Sequence, residues 1–333
     1  MRPVNRKACG RDLLTTAAMA AAAIVLAALY GAALAAPLWL WSLGFFPWHY
    51  AFGADALVLV LLGIQYAALD HAALRASGAC VVSEAEAPKL HSAVERLAAL
   101  ADIPKPRIAV VDTIIPNAFA AGRNPAHSTV AITRGLVAEL EWPEVEAVLA
   151  HELAHVSNWD GSVMTVASFP ALSLRDAIGS APWKLWIFGL PLMLLACLAY
   201  VLSTGLMLTV SRCREYAADR GAALTTGAPE LLMSALQKIA GRMRQIPDED
   251  LRSVAAMSAF FIIPTKLRSL THPPLEKRLA RLAEIARELG QPDVTAATGV
   301  VTTARTRRAN LLAGVAAFVA VFFVVVFVGT ALR

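Results

Sequence analysis

His151-Glu152-Leu153-Ala154-His155 sets two imidazoles four residues apart, with a carboxylate directly after the first. On a helix, residues i and i+4 share one face about one turn apart, so both rings can reach a single tetrahedral ion. Glu152 then points beside that ion and not at it. Such a carboxylate can take a proton from a metal-activated water and return it to a leaving amine. The expected chemistry is hydrolysis, and the expected cofactor is Zn2+, one per chain. An HExxH arising by accident in a chain with seven histidines is expected about once in a hundred chains. The plain alternative is a helix carrying two solvated or hydrogen-bonded histidines. Val145, Leu149, Leu153 and Val156 form one apolar stripe, and the histidines lie on another face, so neither need be a core residue.

A catalytic zinc keeps three protein ligands and one open position, so a third ligand should lie elsewhere. Glu215, in Ser211-Arg-Cys-Arg-Glu-Tyr-Ala-Ala-Asp219, is the best candidate. Asp219 shares its helix face and could orient a ligating histidine. Ala218, Ala222 and Ala223 would let this helix approach another closely. A charged surface helix laced by Arg212, Arg214 and Arg220 remains the alternative from these residues alone. Cys213 points to another side of the helix and is expected to be inert.

The elements that must position these residues divide into polar and apolar stretches. Ser83 followed by Glu86 is a capping-box signature opening a helix through Leu90, Val94, Leu97 and Leu100. Arg107 to Asp112 and Ser128 to Thr133 read as strands. Pro143 suits the first turn of a helix that runs to about Asn158, with Glu144 and Glu146 on the favourable side of its dipole. Asn117 to Ala121 reads as an edge strand beside a cleft. Asn117, Ala118, Phe119 and Ala120 could then take a peptide by β-augmentation; a core or turn segment is the alternative. From Ser211 to about Leu289 the chain reads as helices, broken near Gly227, Pro229, Pro247 and His272-Pro-Pro274.

The 333 residues are 57% apolar and 17% charged, against about 25% charged in soluble domains. The mean hydropathy is +0.57. Disorder, collagen and coiled coil are excluded, and a membrane protein is favoured. The net charge of +5 is too small to argue for nucleic acid. Four scattered cysteines without CxxC argue against a disulfide framework. Leu13 to Ala36, Ala51 to Leu69, Leu185 to Val210 and Leu311 to Leu332 each have the length and apolarity to cross a bilayer. The first is too long for a cleaved signal core. Arg2, Arg6, Lys7 and Arg11 precede it, Arg75 and Lys89 follow the second, and Arg305, Arg307 and Arg308 precede the last. The positive-inside rule places the N-terminus and the polar region in the cytoplasm.

HELAH, then SRCREYAADRGAA, then THPPLEKRLARL, with Asn117 to Asn124 upstream, resembles the HtpX-type membrane zinc metalloproteases. The wider group includes the CAAX prenyl endopeptidases. The resemblance covers roughly residues 75–290. It implies His151, His155 and Glu215 as zinc ligands, Glu152 as catalytic base and Asp219 as support for the metal site. It further suggests that His272 and Arg278 stabilise the oxyanion of the tetrahedral intermediate; a helix cap and a solvated arginine are the alternative. It implies polypeptide substrates, chiefly misfolded or damaged membrane proteins. The departures are the extra span at Leu311 to Leu332 and Cys213 inside the third-ligand motif.

The expected architecture is an α-helical polytopic membrane protein with a cytosolic α+β zincin-type domain. Residues 1–70 hold two transmembrane helices, 71–160 the first part of the metalloprotease domain, 161–210 a membrane hairpin, 211–300 the second part, and 301–333 a linker and last span. The hairpin is a topological demand. A single crossing between Asn158 and Ser211 would leave the ligands on opposite sides of the bilayer. Arg175-Asp176 fits poorly inside a membrane, so that leg could bend or sit at an interface. The expected location is a bacterial inner membrane, with the lipid bilayer as partner and no nucleic acid; a homo-oligomer or other membrane partners stay open. The rival readings are a CAAX prenyl-protein endopeptidase, a scaffold with a structural zinc, and, ranked low, a channel or transporter.

Overall fold

The computed structural model describes residues 13–45, 47–182, 189–246 and 271–291. The expected linker and span beyond residue 292 lie outside the described residues, as does the Pro247 break. Two long helices come first, α1 (Leu13–Ser42) and α2 (Trp48–Ser77). Gly78 ends α2 in the left-handed region at φ 64°, a conformation that costs glycine little. Strand β1 (Cys80–Val81), helix α3 (Pro88–Leu100) and strands β2 (Arg107–Val111), β3 (Ala118–Gly122) and β4 (Ser128–Thr133) follow. Helices α4 (Arg134–Glu139), α5 (Trp142–Ser157), α6 (Asp160–Ser180), α7 (Leu190–Thr226), α8 (Pro229–Gln245) and α9 (Leu275–Glu288) complete the described chain.

The sheet runs β1-β2-β4-β3. β2 lies parallel to β4, and β3 pairs antiparallel to β4 with Phe119 opposite Ala131. β3 is therefore an edge strand among the described residues. Asn117, just before it, is fastened by its backbone: its N–H donates to Thr133 Oγ1 at 2.9 Å, and its carbonyl accepts from Thr133 N–H at 2.9 Å. Helix α5 begins with a reciprocal capping box between Glu141 and Glu144, which satisfies two N–H groups that a helix start leaves open. The Ser83–Glu86 bond is present as well, with Glu86 Oε2 2.6 Å from Ser83 N. It closes a turn, and the helix begins later, at Pro88.

The core joins α3, the sheet, α5, the end of α7, α8 and α9, through Leu97, Ile108, Ile132, Leu149, Leu236 and Leu282 among others. Apolar residues elsewhere point outward. Ile24 is 71% exposed, Leu57 57% and Leu194 61%. Exposure on this scale is lipid-facing surface. It falls on Ala17–Ser42, Trp48–Ala68 and α7, the three helices among the described residues long and apolar enough to cross a membrane.

Helix α7 carries the site into position. Its 37 residues span about 55 Å at 1.5 Å per residue, and a bilayer core takes up about 30 Å. The first part is largely exposed apolar surface, whereas Val210, Cys213, Arg214, Glu215, Ala218 and Asp219 are buried. The expected boundary at 210–211 is thus no break: one rod runs from apolar segment to site. Helix α6 lies antiparallel to it, with Asp160 against Arg214 at one end and Ala167 near Val210 further along. The chain leaves the site on α6 and returns on α7. Arg175 and Asp176 pair with each other at the exposed surface, and α6 lacks the composition of the three span helices.

Candidate metal centre

Helices α5 and α7 pack closely enough that a Cβ on Gly221 would lie 2.7 Å from the Ala154 Cβ. That approach brings His151 and His155 on α5 up to Glu215 on α7. The two histidine Nε2 atoms lie 3.1 Å apart. Glu215 Oε2 is 3.9 Å from His151 Nε2, and Glu215 Oε1 is 3.7 Å from His155 Nε2. A tetrahedral ion with bonds of about 2.0–2.2 Å holds its ligand atoms roughly 3.3–3.6 Å apart, so the triangle has the right size.

The outer nitrogens of both rings face carboxylates. His155 Nδ1 is 2.5 Å from Asp160 Oδ2, and His151 Nδ1 is 3.1 Å from Asp219 Oδ1. A ring whose Nδ1–H faces a carboxylate presents a lone pair at Nε2. Two such lone pairs and a carboxylate oxygen therefore converge on one point, an arrangement that repels itself unless a cation sits there. The surrounding charge agrees. Glu152, Glu215, Asp219 and Asp160 are buried with the guanidiniums of Arg214 and Arg278. Fully ionised, the cluster carries an excess of two negative charges, which a dication neutralises. The donor set of two imidazoles and one carboxylate fits zinc, and leaves one tetrahedral position facing the pocket.

That pocket has a volume of about 440 Å³. His151, Glu152, His155 and Glu215 line it together with Phe119 and Ala120 of β3 and with His272. Met164 and Leu172 of α6 and Met207 of α7 continue it toward the apolar part of the molecule. Glu152 accepts a hydrogen bond from the Ala120 backbone. Burial pushes its carboxyl above the ordinary value, against the pull of His155 and His151. His272 is also buried, and this lowers its imidazole below the ordinary 6.5 despite Glu215. Its Nε2 lies 3.5 Å from Glu215 Oε1, and its Nδ1 lies 3.0 Å from Thr271 Oγ1. Ser211 of α7 donates to the Thr271 carbonyl at 2.9 Å, which ties this segment to the ligand helix.

Arg278 packs against the carboxylates of the site. It is 2% exposed. Its Nε and Nη2 bond the two Asp219 oxygens at 2.8 and 2.6 Å, and its Nη1 is 3.2 Å from Glu215 Oε2. Burial works against its charge, but Asp219 and Glu215 hold it protonated beyond the ordinary arginine range. It sits behind the carboxylates and outside the pocket lining. Asn117 and Ala118 are buried and do not line the pocket, while Phe119 and Ala120 do. The residue that sequence reasoning missed is Asp160. The signal for it is only general: ligating histidines nearly always carry a carboxylate or carbonyl partner, and Asp160 follows His155 by five residues.

The model of Peptidase family M48 matches residues 84–286. The "Protease HtpX homolog" of Moorella thermoacetica is 45% identical over 301 residues, which is 85% of this chain and 98% of the relative. The chain belongs to peptidase family M48. Further M48 relatives agree: "Protease HtpX homolog 2" of Methanosarcina acetivorans is 46% identical over 246 residues, 68% of this chain and 83% of the relative. The "Protease HtpX homolog" of Pyrococcus furiosus is 40% identical over 255 residues, 71% and 87%. The crystal structure of S. mikatae Ste24p aligns at a TM-score of 0.40 and 19% identity, over 81% of this chain and 67% of that one, a likeness too distant to argue from. An M48 chain with three membrane-capable helices is a membrane metalloprotease, a hydrolase.

Proposed function

We propose that this membrane metalloprotease is a zinc endopeptidase that cleaves extended segments of damaged or misfolded membrane proteins. His151, His155 and Glu215 would hold the ion, and Glu152 would act as the general base. The observation that carries the reading is the convergence of His151 Nε2, His155 Nε2 and the Glu215 carboxylate, with both Nδ1 atoms on carboxylates, at a pocket Glu152 also lines. When bound, zinc would supply a Lewis acid for the scissile carbonyl and make an adjacent water more acidic.

The remaining steps belong to the protein. The Glu152 carboxylate takes the proton of the attacking water and delivers it to the leaving amine. No acyl-enzyme forms, because no nucleophilic side chain joins the backbone carbonyl. In the tautomer where the Thr271 hydroxyl donates to His272 Nδ1, the ring proton lies on Nε2, where it would donate to the oxyanion. Arg278 would act through Asp219 and Glu215 as a positioning residue. The outer edge of β3 would align the peptide by β-augmentation, with Phe119 and Ala120 beside the scissile bond; this mode reads backbone more than sequence. The apolar wall of Met164, Leu172 and Met207 suits chains that come from a bilayer. The positive-inside pattern favours the cytoplasmic side for the site.

The test compares wild type with Glu152→Gln, both purified in detergent with chelator and reloaded with zinc. The substrate is an unfolded membrane protein, with the same protein folded as control. Fragment formation by wild type, slowed at least 100-fold in Glu152→Gln and faster on the unfolded form, is expected. Equal rates in the two enzymes would remove Glu152 as base. Cleavage of prenylated peptides alone would move the substrate to the CAAX class.

A further inference from the structure

Each histidine of the HExxH helix is backed by an aspartate, and each aspartate by a buried arginine. On one side the order is His151, Asp219, Arg278. On the other it is His155, Asp160, Arg214. The first chain joins Asp219 of the third-ligand motif to Arg278 of α9. The second is built differently. Helix α5 ends at Ser157, and Trp159 sits in the left-handed region at φ 58°. That turn swings Asp160, the first residue of α6, back against the ring of His155. Arg214, one residue before Glu215 on α7, lies against Asp160 Oδ1 and donates through Nη2 to the Asn158 carbonyl at 3.0 Å. Arg214 is 4% exposed and Asp160 8%.

We propose that Asp160 and Arg214 are positioning residues of the metal centre: Asp160 fixes the His155 ring with its Nε2 lone pair on the ion, and Arg214 locks Asp160 to the ligand helix. The inference rests on the zinc reading above. Without a carboxylate at Nδ1, the His155 ring can rotate or take the other tautomer, and either turns a proton toward the ion. Without Arg214, Asp160 is a buried carboxylate with no countercharge beside it. The α5–α6 turn then loses its bond to α7. The pair also explains why a basic residue is buried next to a metal ligand, where its charge opposes a cation. Its partner is Asp160, and the net charge of the two is zero.

The consequence is that the antiparallel α6–α7 pair is more than an anchor. Asp160 opens α6 and Arg214 lies on α7, so the geometry of one zinc ligand depends on how these helices meet. Asp160→Asn removes the charge while keeping the shape. Arg214→Lys keeps the charge but replaces the planar guanidinium, whose Nη2 meets both Asp160 and the Asn158 carbonyl, by a differently placed ammonium.

The experiment measures zinc affinity of detergent-purified full-length chains by competition with a chromophoric chelator. The visible absorption of the Co2+-substituted proteins is read alongside. The expected result is a 10- to 100-fold loss of zinc affinity in Asp160→Asn with an altered Co2+ spectrum, and a smaller change of the same kind in Arg214→Lys. A zinc affinity within twofold of wild type and an unchanged Co2+ spectrum would overturn the proposal, even if the metal-free protein unfolded earlier, because a purely structural role moves only the latter. If Asp160→Asn does not fold, Arg214→Lys decides by the same two readouts. Failure of wild type itself to bind zinc would sink the zinc reading instead.

Discussion

Arg278 makes three charged contacts from a fully buried position, two to Asp219 and one to Glu215. Removing a partner of a buried ion pair leaves an uncompensated charge and costs about 3–5 kcal/mol. Arg278→Ala should therefore lower the unfolding free energy by about that amount and reduce zinc binding, because Asp219 and Glu215 both lose their anchor. Denaturant unfolding in detergent, with and without zinc, checks this. A solvated arginine would give a change too small to measure. At this scale the sequence was readable wherever the helix itself does the work. His151, Glu152 and His155 are brought together by helical periodicity, and Glu215 and Asp219 share a face for the same reason. Asp160 escaped because it follows His155 across a helix end, where periodicity no longer says which way a side chain points. Arg278 was named from the resemblance, but its contacts with Asp219 and Glu215 depend on α9 packing against α7, which no local pattern encodes.

The element that decides ligand spacing is the crossing of α5 and α7. Gly221 faces Ala154 so closely that one added methyl must push the helices apart. Gly221→Ala should cost about 1–3 kcal/mol and weaken zinc binding, since the shift separates Glu215 from the histidines. The double variant Ala154→Gly with Gly221→Ala returns the missing space. A double-mutant cycle on zinc affinity should show recovery of most of the loss, and strictly additive effects would refute the close-contact account. The sequence pointed to small residues on this face but could not say which of them touches.

The other end of α5 carries a second testable contact. Glu144 is buried and accepts from Ser234 Oγ at 2.6 Å and Lys238 Nζ at 2.8 Å, both on α8. Burial alone would raise its carboxyl, but Lys238, Ser234 and the Glu141 backbone together bring it below the ordinary 4.5. A carboxyl depressed in the folded state contributes its stability fully above the unfolded value and loses it as pH falls through the folded one. The stability difference between wild type and Glu144→Gln should thus be constant near pH 7 and shrink below about pH 4.5. Unfolding midpoints of both proteins across that range test it, and a difference that grows in acid would reverse the assignment. The ends of α5 and the strands were readable because caps, prolines and alternating residues are local signals. The continuity of α7 was not, since its composition changes at Ser211 while its backbone does not.

For the whole molecule, the question is which side of the bilayer the site occupies. Helix α7 passes without interruption from lipid-facing surface to Glu215, which lies only about 8 Å beyond Val210 at 1.5 Å per residue. The metal centre therefore sits near the membrane surface on whichever side receives the end of α7. The basic residues flanking the apolar segments argue for the cytoplasm. Cys80 reports on this directly. It is exposed on β1, in the same sheet as the edge strand beside the site, whereas Cys197 is half-buried and Cys213 buried, both on α7. In a Cys9→Ser, Cys197→Ser background, a membrane-impermeant maleimide should label Cys80 in inverted vesicles and fail to do so in right-side-out ones. Cys213 stays shielded by packing in both. Labelling confined to right-side-out vesicles would put the catalytic layer outside. It would also mean that the charge bias at the N-terminus does not govern how this chain inserts, because α1 packs against both α2 and α7, so the three would invert together.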